Sequence, residues 1–461
     1  MAYLLFLLAN FALFVRPGEI TPLLSSIPLY QALILAAVVL AARPLQNQVS
    51  RRVFFQQPTN LCVMGMIAGV ALSHLSSMYL FGLRTGVMGM LKVALYYLLL
   101  VSLVNTPQRL RRFLICTALS ASVMIAYSVR DYVDFVSVWD GNPTLAEALL
   151  HDAHLKEGEE RILRHVVEQH TSAVSDAGDV ASVYRMRGLG IFNDPNDVAL
   201  LIVVTSIIGL YFLTDRKLGQ VRFVWGAPLL LMAAALYCTQ SRGGILAAGV
   251  AGTAWLAARY GGQVAVGLGV LGALCIPVAL GRAGEIEITS GTGQSRIQLW
   301  GEGLAQLVSP KVLFGIGEGM YPEYAGLVAH NSFVHAFVEL GFVGGTMFFG
   351  CVFFPAYALW RMHRDRLQIL DPEIRRLRPY IGAMLACWCM GMCALSRCYV
   401  ESTYMVIGAA AAYVNLAGFH QWQPRPIVLF NQVNVQRWVL CSFGLFCGCF
   451  VFVRLFAQWS G

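Results

Sequence analysis

Charge is scarce in this sequence. Asp, Glu, Lys and Arg make up only 13% of the 461 residues, against about 25% in soluble globular domains. Such a chain lacks the charge to cover a soluble surface, and disordered segments are still more polar. With 57% hydrophobic residues and a mean hydropathy of +0.63, the composition describes a polytopic membrane protein. A basic patch is also lacking. The net charge is +8, but its cations fall in short bursts: Arg51-Arg52, Arg109 with Arg111-Arg112, Arg216-Lys217, and Arg361 to Arg378. That pattern speaks against nucleic acid as a partner and marks loops retained in the cytoplasm. Zinc spacing is missing as well. Most of the 12 cysteines lie in apolar runs, such as Cys387, Cys389 and Cys393 around Trp388, where thiols act as small apolar residues. No metal site is expected. Neither an internal repeat nor a low-complexity segment is present.

What the chain does have is apolar length. About 13 runs approach the ~20 residues needed to cross the hydrocarbon. They lie at roughly 2–15, 26–42, 59–78, 86–104, 113–130, 197–214, 223–240, 243–259, 263–281, 332–360, 380–396, 403–420 and 438–456. The first has no small-residue cleavage site before Arg16 and is expected to be retained. Whether the last run crosses is left open, so the expectation is an all-α protein with about 12–13 crossings. With the N-terminus inside, the inner loops hold Arg43, Arg51, Arg52, Arg109, Arg111, Arg112, Arg216, Lys217, Arg222, Arg259, Arg361, Arg364, Arg366, Arg375, Arg376, Arg378, Arg425 and Arg437. The short outer loops hold only Arg16, Arg84, Arg242 and Arg397. That asymmetry sets the orientation.

Two outer loops are long. The chain therefore divides into N-terminal spans 1–130, an acidic loop 131–196, central spans 197–281, a second loop 282–331, and C-terminal spans 332–461. Residues 131–197 contain 13 of the 25 acids, among them Glu157, Glu159 and Glu160. Leu145, Leu149, Ile162, Leu163, Val166 and Val167 suggest amphipathic helices there. His151, His154, His165 and His170 have no HExxH or CxxC companion and read as a solvated face. Gly315-x-Gly317-x-Gly319 lacks the P-loop lysine and reads as a flexible turn before a helix starting near Asn331. Long loops are usually functional, which directs attention to the outer face.

Three polar positions stand out there: Arg242 in Gln240-Ser241-Arg242-Gly243-Gly244, Arg296 ahead of Trp300, and His330 in Ala329-His330-Asn331-Ser332-Phe333. Snorkelling arginines and a helix-capping histidine are the structural readings. A guanidinium is also the side chain best suited to phosphate, and histidine is a suitable base at neutral pH. Together they suit a diphosphate-linked lipid and a hydroxyl acceptor. Arg187 is a further candidate for phosphate or glycan contact, with a loop ion pair as the alternative. His335 and Glu339 share a helix face at i, i+4, lining a cavity or satisfying each other. Lys92 and Arg397 read as structural.

Residues 187 to about 345 resemble the O-antigen ligase and polymerase family of bacterial envelope enzymes. The matching tracts are Arg187-Gly188-Leu189-Gly190-Ile191-Phe192-Asn193-Asp194-Pro195-Asn196, Ser241-Arg242-Gly243-Gly244, Ser295-Arg296 with Trp300, Leu313-Phe314-Gly315-Ile316-Gly317, His330-Asn331-Ser332-Phe333 and Glu339-Leu340-Gly341-Phe342-Val343-Gly344. The resemblance implies a GT-C-like membrane glycosyltransferase of the bacterial inner membrane, with its active site facing the periplasm. It implies an inverting transfer from undecaprenyl diphosphate that needs neither nucleotide sugar nor metal. Arg242 and Arg296 would neutralise the diphosphate, and His330 would accept or orient the acceptor hydroxyl. Asn331 and the Asp194–Asn196 turn would shape the site; Arg187 and Glu339 are the further candidates for substrate contact named above. The expected partners are the lipid-linked glycan, membrane lipids, and lipid A–core for a ligase or a second lipid-linked glycan for a polymerase. Outside that family, a lipid-linked-sugar transporter or an assembly scaffold would fit the hydropathy; few midplane charges and no repeat argue against the transporter.

Overall fold

The computed structural model describes residues 1–21, 24, 26–141, 167–174, 180–263 and 292–457. Among them, eight helices are long and apolar enough to cross a membrane, or up to nine when Leu29–Leu40 and Ala42–Gln48 count as one bent span. The all-α, multi-pass architecture is present, with fewer qualifying spans than the hydropathy suggests. Each missing span has an identifiable place. Ala2–Val15 is shorter than a crossing helix. Pro372–Met392 spends its first turns on Glu373, Arg375, Arg376 and Arg378. Arg242–Tyr260 is dominated by glycine and alanine and ends on Arg259. The expected span 263–281 lies almost wholly outside the described residues.

The chain forms two compact units, Met1–Ala37 with Arg111–Ala248, and Val38–Leu110 with Gly249–Gly461. In the first, Phe6 stacks on Phe113 and Phe14 on Phe192, fixing the N-terminal helix Ala2–Val15. The helix Pro107–Gly141 runs well past Asp131, where the acidic loop was expected to begin. Arg130 and Asp134 sit one turn apart on it, 3.7 Å from each other, so charge continues the helix instead of ending it. The rest of that loop is partly strand. β1 (Val167–Val174) and β2 (Val180–Met186) form an antiparallel hairpin with Val167 opposite Met186. Phe135, Val167 and Tyr184 pack together beneath it, and the Tyr132 hydroxyl donates to the Tyr184 carbonyl at 3.0 Å. Val167, expected in an amphipathic helix, is thus in a strand; the proposed helical positions 145–166 lie outside the described residues.

In the second unit, Pro58–Ser76 and Ser332–Arg364 cross at glycine. A Cβ on Gly69 would lie 2.9 Å from the Gly344 Cα, so only glycine permits this backbone approach. Buried polar groups are paired across helices, as in Tyr97 Oη to Asn60 Oδ1 at 2.8 Å and Thr346 Oγ1 to Ser442 Oγ at 2.7 Å.

The helix Ser332–Arg364 is broken. Gly341 has φ 64° and ψ −170°, a conformation essentially restricted to glycine. The described part of the second loop is helical: Thr292–Ala305 is followed by short helices Lys311–Phe314 and Tyr321–Ala325. Ile297, Leu304, Leu307, Ile316 and Tyr321 form a core with Val334, Phe337 and Val338 of the broken helix.

Candidate active site

In the first unit the polar residues gather around Asn196. Asp194 caps the helix Pro195–Leu213, its carboxylate accepting from the Asn196 amide at 2.7 Å, with Pro195 in the first turn. The Asn196 Oδ1 then accepts from the Ser241 hydroxyl at 2.7 Å and from Arg185 at 3.1 Å. Arg185 also donates to the Thr239 carbonyl at 3.1 Å. Ser241 in turn accepts from the Gly244 amide at 3.0 Å. This network fixes the turn that presents Arg242, the first residue of its helix. The preceding Gln240 has φ 48°, so the chain reverses within one residue. A Cβ on Gly244 would lie 2.5 Å from that of Ala199; this glycine serves close helix packing. Arg187 donates to the carbonyls of Val167 and Asn193, at 3.0 and 3.4 Å, joining the hairpin to the Asp194 turn.

In the second unit, Arg296 lies on the helix Thr292–Ala305 and His330 just before the broken helix. Trp300, one turn beyond Arg296, donates its indole N–H to the Ala329 carbonyl at 2.6 Å. The helix of Arg296 is therefore pinned to the residue preceding His330. His330 has φ 48°, a left-handed conformation rare outside glycine. Residues held in such conformations cluster at functional sites. It is fixed on its other side by Asn331, whose carboxamide caps the helix through the Phe333 and Val334 amides at 3.0 and 3.2 Å.

Residues 227–349 match the O-antigen ligase family model. The match bears out the family resemblance and supports a glycosyltransferase of the O-antigen ligase and polymerase type. No curated protein matches the chain. The ligase-family segment holds Arg242, Arg296, His330, Asn331 and Glu339, whereas Arg187, Asp194 and Asn196 precede it.

Glu339 is fully buried within that segment. Its Oε1 lies 3.0 Å from His335 Nε2 and accepts from the Tyr321 amide at 3.1 Å. The i, i+4 pair therefore forms and Glu339 faces His335 and Tyr321, while Glu339 Oε2 and His335 Nδ1 are buried without a hydrogen-bond partner among the described residues. Nearby, His74 Nε2 lies 3.8 Å from Glu318, enclosed by Gly82, Gly86 and Gly317. Burial pushes the Glu318 carboxyl up, the Glu339 carboxylate adds to this, and His335 opposes it. The glycine tract 315–319 is no flexible turn: the Ile316 and Gly317 amides donate to the Val338 and Glu339 carbonyls at 3.1 and 3.0 Å.

Sequence reasoning missed Arg185, Tyr321, His74 and Glu318. Arg185 stands two residues before the Arg187 tract, and Glu318 is the one acid within the glycine tract. Both carried a signal of unusual polarity in place. His74, inside an apolar run, carried the default signal of an intramembrane ionisable group. Tyr321 carried none.

Proposed function

We propose that this protein transfers a glycan from undecaprenyl diphosphate to an acceptor hydroxyl at the periplasmic face of the bacterial inner membrane. The acceptor we favour is lipid A–core, which makes the reaction O-antigen ligation. The observation that supports this reading is the Trp300–Ala329 hydrogen bond, because it ties the helix of a phosphate-binding residue type, Arg296, to the residue before a candidate base, His330. The family match to residues 227–349 supports it independently.

The chemistry asks little of the protein. Attack of the acceptor oxygen on the anomeric carbon forms the glycosidic bond, and the carbon–oxygen bond to diphosphate breaks. The electron pair leaves with the lipid diphosphate. A guanidinium neutralises the charge growing there; we assign this role to Arg296 and to Arg242. His330 takes the acceptor proton or orients the hydroxyl. Asn331 holds the His330 turn, while Arg187, Asp194 and Asn196 shape the approach to Arg242. Glu339 supports the site through its buried contacts with His335 and the Tyr321 amide. Neither a metal nor a nucleotide sugar is needed for these steps.

The test is to replace Arg242, Arg296 and His330 singly by Ala, confirm membrane expression, and measure glycan transfer from undecaprenyl diphosphate. Loss of transfer in each variant is expected; full activity in all of them refutes the assignment. Gene loss separates ligase from polymerase. Long chains left on undecaprenyl diphosphate indicate a ligase, and single repeat units indicate a polymerase.

A further inference from the structure

We infer that Tyr321 and Glu339 are positioning residues that set Arg296 relative to His330. The inference rests on the transferase reading and adds to it the device that keeps the two groups in register.

The argument starts from the break at Gly341. In an intact helix the carbonyls of Val338 and Glu339 would accept from amides four residues on, across the residue that leaves helical geometry. The glycine tract supplies replacements: the Ile316 and Gly317 amides donate to those same two carbonyls. Contact is tight enough that a Cβ on Gly315 would lie 2.1 Å from the Glu339 carbonyl oxygen, and one on Gly341 2.4 Å from Leu313 backbone. The tract is therefore docked as a strap on the helix break.

From the strap the connection returns to Arg296. The Tyr321 amide donates to the buried Glu339 carboxylate at 3.1 Å, and the Tyr321 hydroxyl donates to the Leu299 carbonyl at 2.8 Å. Leu299 stands one turn beyond Arg296. Gly303 makes room for the ring, since a Cβ there would lie 2.3 Å from the Tyr321 hydroxyl oxygen. Trp300 then closes the circuit on Ala329. His330 and Glu339 sit at opposite ends of the half-helix 332–340, a rigid spacer. The circuit thus runs from His330 along the half-helix to Glu339, through Tyr321 to the Arg296 helix, and back through Trp300. A circuit closed by directional bonds fixes two groups better than either link alone, and small misplacements are costly in transfer reactions.

The experiment uses the full chain in lipid nanodiscs with undecaprenyl diphosphate as the probe. Its affinity is measured for the unmodified protein, Tyr321→Phe, Arg296→Ala and the double variant. If Tyr321 acts through Arg296, Tyr321→Phe weakens binding about tenfold alone and less than about twofold when Arg296 is already Ala. Glu339→Ala reproduces the Tyr321→Phe loss, and Glu339→Gln, which keeps an acceptor oxygen, restores most of it. A loss of equal factor in both backgrounds, or no loss, overturns the inference while leaving the transferase reading intact. An unmodified protein that neither binds the probe nor transfers glycan removes that reading, and the inference with it.

Discussion

Replacing Gly341 by Ala tests the strap and the helix break together. An alanine there must hold φ 64° and ψ −170°, at a cost of about 1–3 kcal/mol. Its Cβ would also lie 2.4 Å from the Leu313 carbonyl carbon and oxygen and from the Phe314 nitrogen. Those are backbone atoms and cannot turn aside as a flexible side chain can. The cheaper response is for the strap to move away, which breaks the Ile316–Val338 and Gly317–Glu339 hydrogen bonds. Each is worth about 1 kcal/mol net and more when its buried partners are left bare. A local cost of about 3–5 kcal/mol follows, and more where the freed carbonyls are left bare. Gly315→Ala meets the same contact from the other side and should behave alike. Gly319 supplies the control: its φ is 76° but nothing lies within 4 Å of a Cβ there, so Gly319→Ala carries conformational strain of about 1–2 kcal/mol and no clash. Hydrogen exchange read by mass spectrometry on the strap, alongside glycan transfer, gives the answer. Gly341→Ala and Gly315→Ala should expose the Ile316 and Gly317 amides and lower transfer, with Gly319→Ala near the unmodified protein. Retained protection and activity in Gly341→Ala, or equal damage from Gly319→Ala, refutes the docked-strap argument.

Two further outcomes follow from the buried polar groups. Ser241→Ala removes both the bond to Asn196 and the acceptor for the Gly244 amide; at a fully buried site this should cost about 1–3 kcal/mol, seen as a lower thermal midpoint together with weaker lipid-diphosphate binding, and no change in either counts against the turn's role in presenting Arg242. For Glu318, burial raises the carboxyl pKa, so folding favours its neutral form: that contribution is present at acid pH and is lost as pH rises through the raised value. His74, His335 and Glu339 face the group and are common to both proteins, so Glu318→Gln should unfold at a higher temperature than the unmodified protein at neutral pH, with the gap closing toward the ordinary carboxylate range; a lower midpoint at neutral pH would instead identify a stabilising ion pair with His74.

Local rules of sequence reading carried far in this chain where partners are near in sequence. The helix starting at Asn331 was legible because the carboxamide caps amides only two and three residues on. The tract around Asp194 and the turn at Ser241 were legible as polar interruptions between apolar runs. The break at Gly341 was not, because Gly-Phe-Val-Gly-Gly within an apolar run reads equally well as small residues for helix packing, which Gly344 does provide. What decides is the strap, more than twenty residues earlier in the chain. The hairpin was obscured for a related reason. Val167-Glu168-Gln169-His170-Thr171 does not alternate cleanly, and its pairing is set by β2 and by Phe135 and Tyr132 of a helix that continues past the first acids of the loop.

The scarcity of charge also explains why a broken helix needs a strap. In a poorly hydrated segment, freed carbonyls cannot be left to solvent, since each unsatisfied group costs several kcal/mol. Charged side-chain donors are few here, because Lys and Arg number only 33 of the 461 residues. At this break the donors are the Ile316 and Gly317 backbone amides, and glycines let them come within contact of another backbone, as the clearances at Gly315 and Gly341 require. Breaking the helix and docking the loop are therefore one event energetically. The outcome is that a loop carrying Arg296 is held by main-chain bonds to a span that begins at His330. The position of these two residues then depends on glycines that touch neither of them, which is why substitutions at Gly315 and Gly341 should be read out at the site as well as in stability.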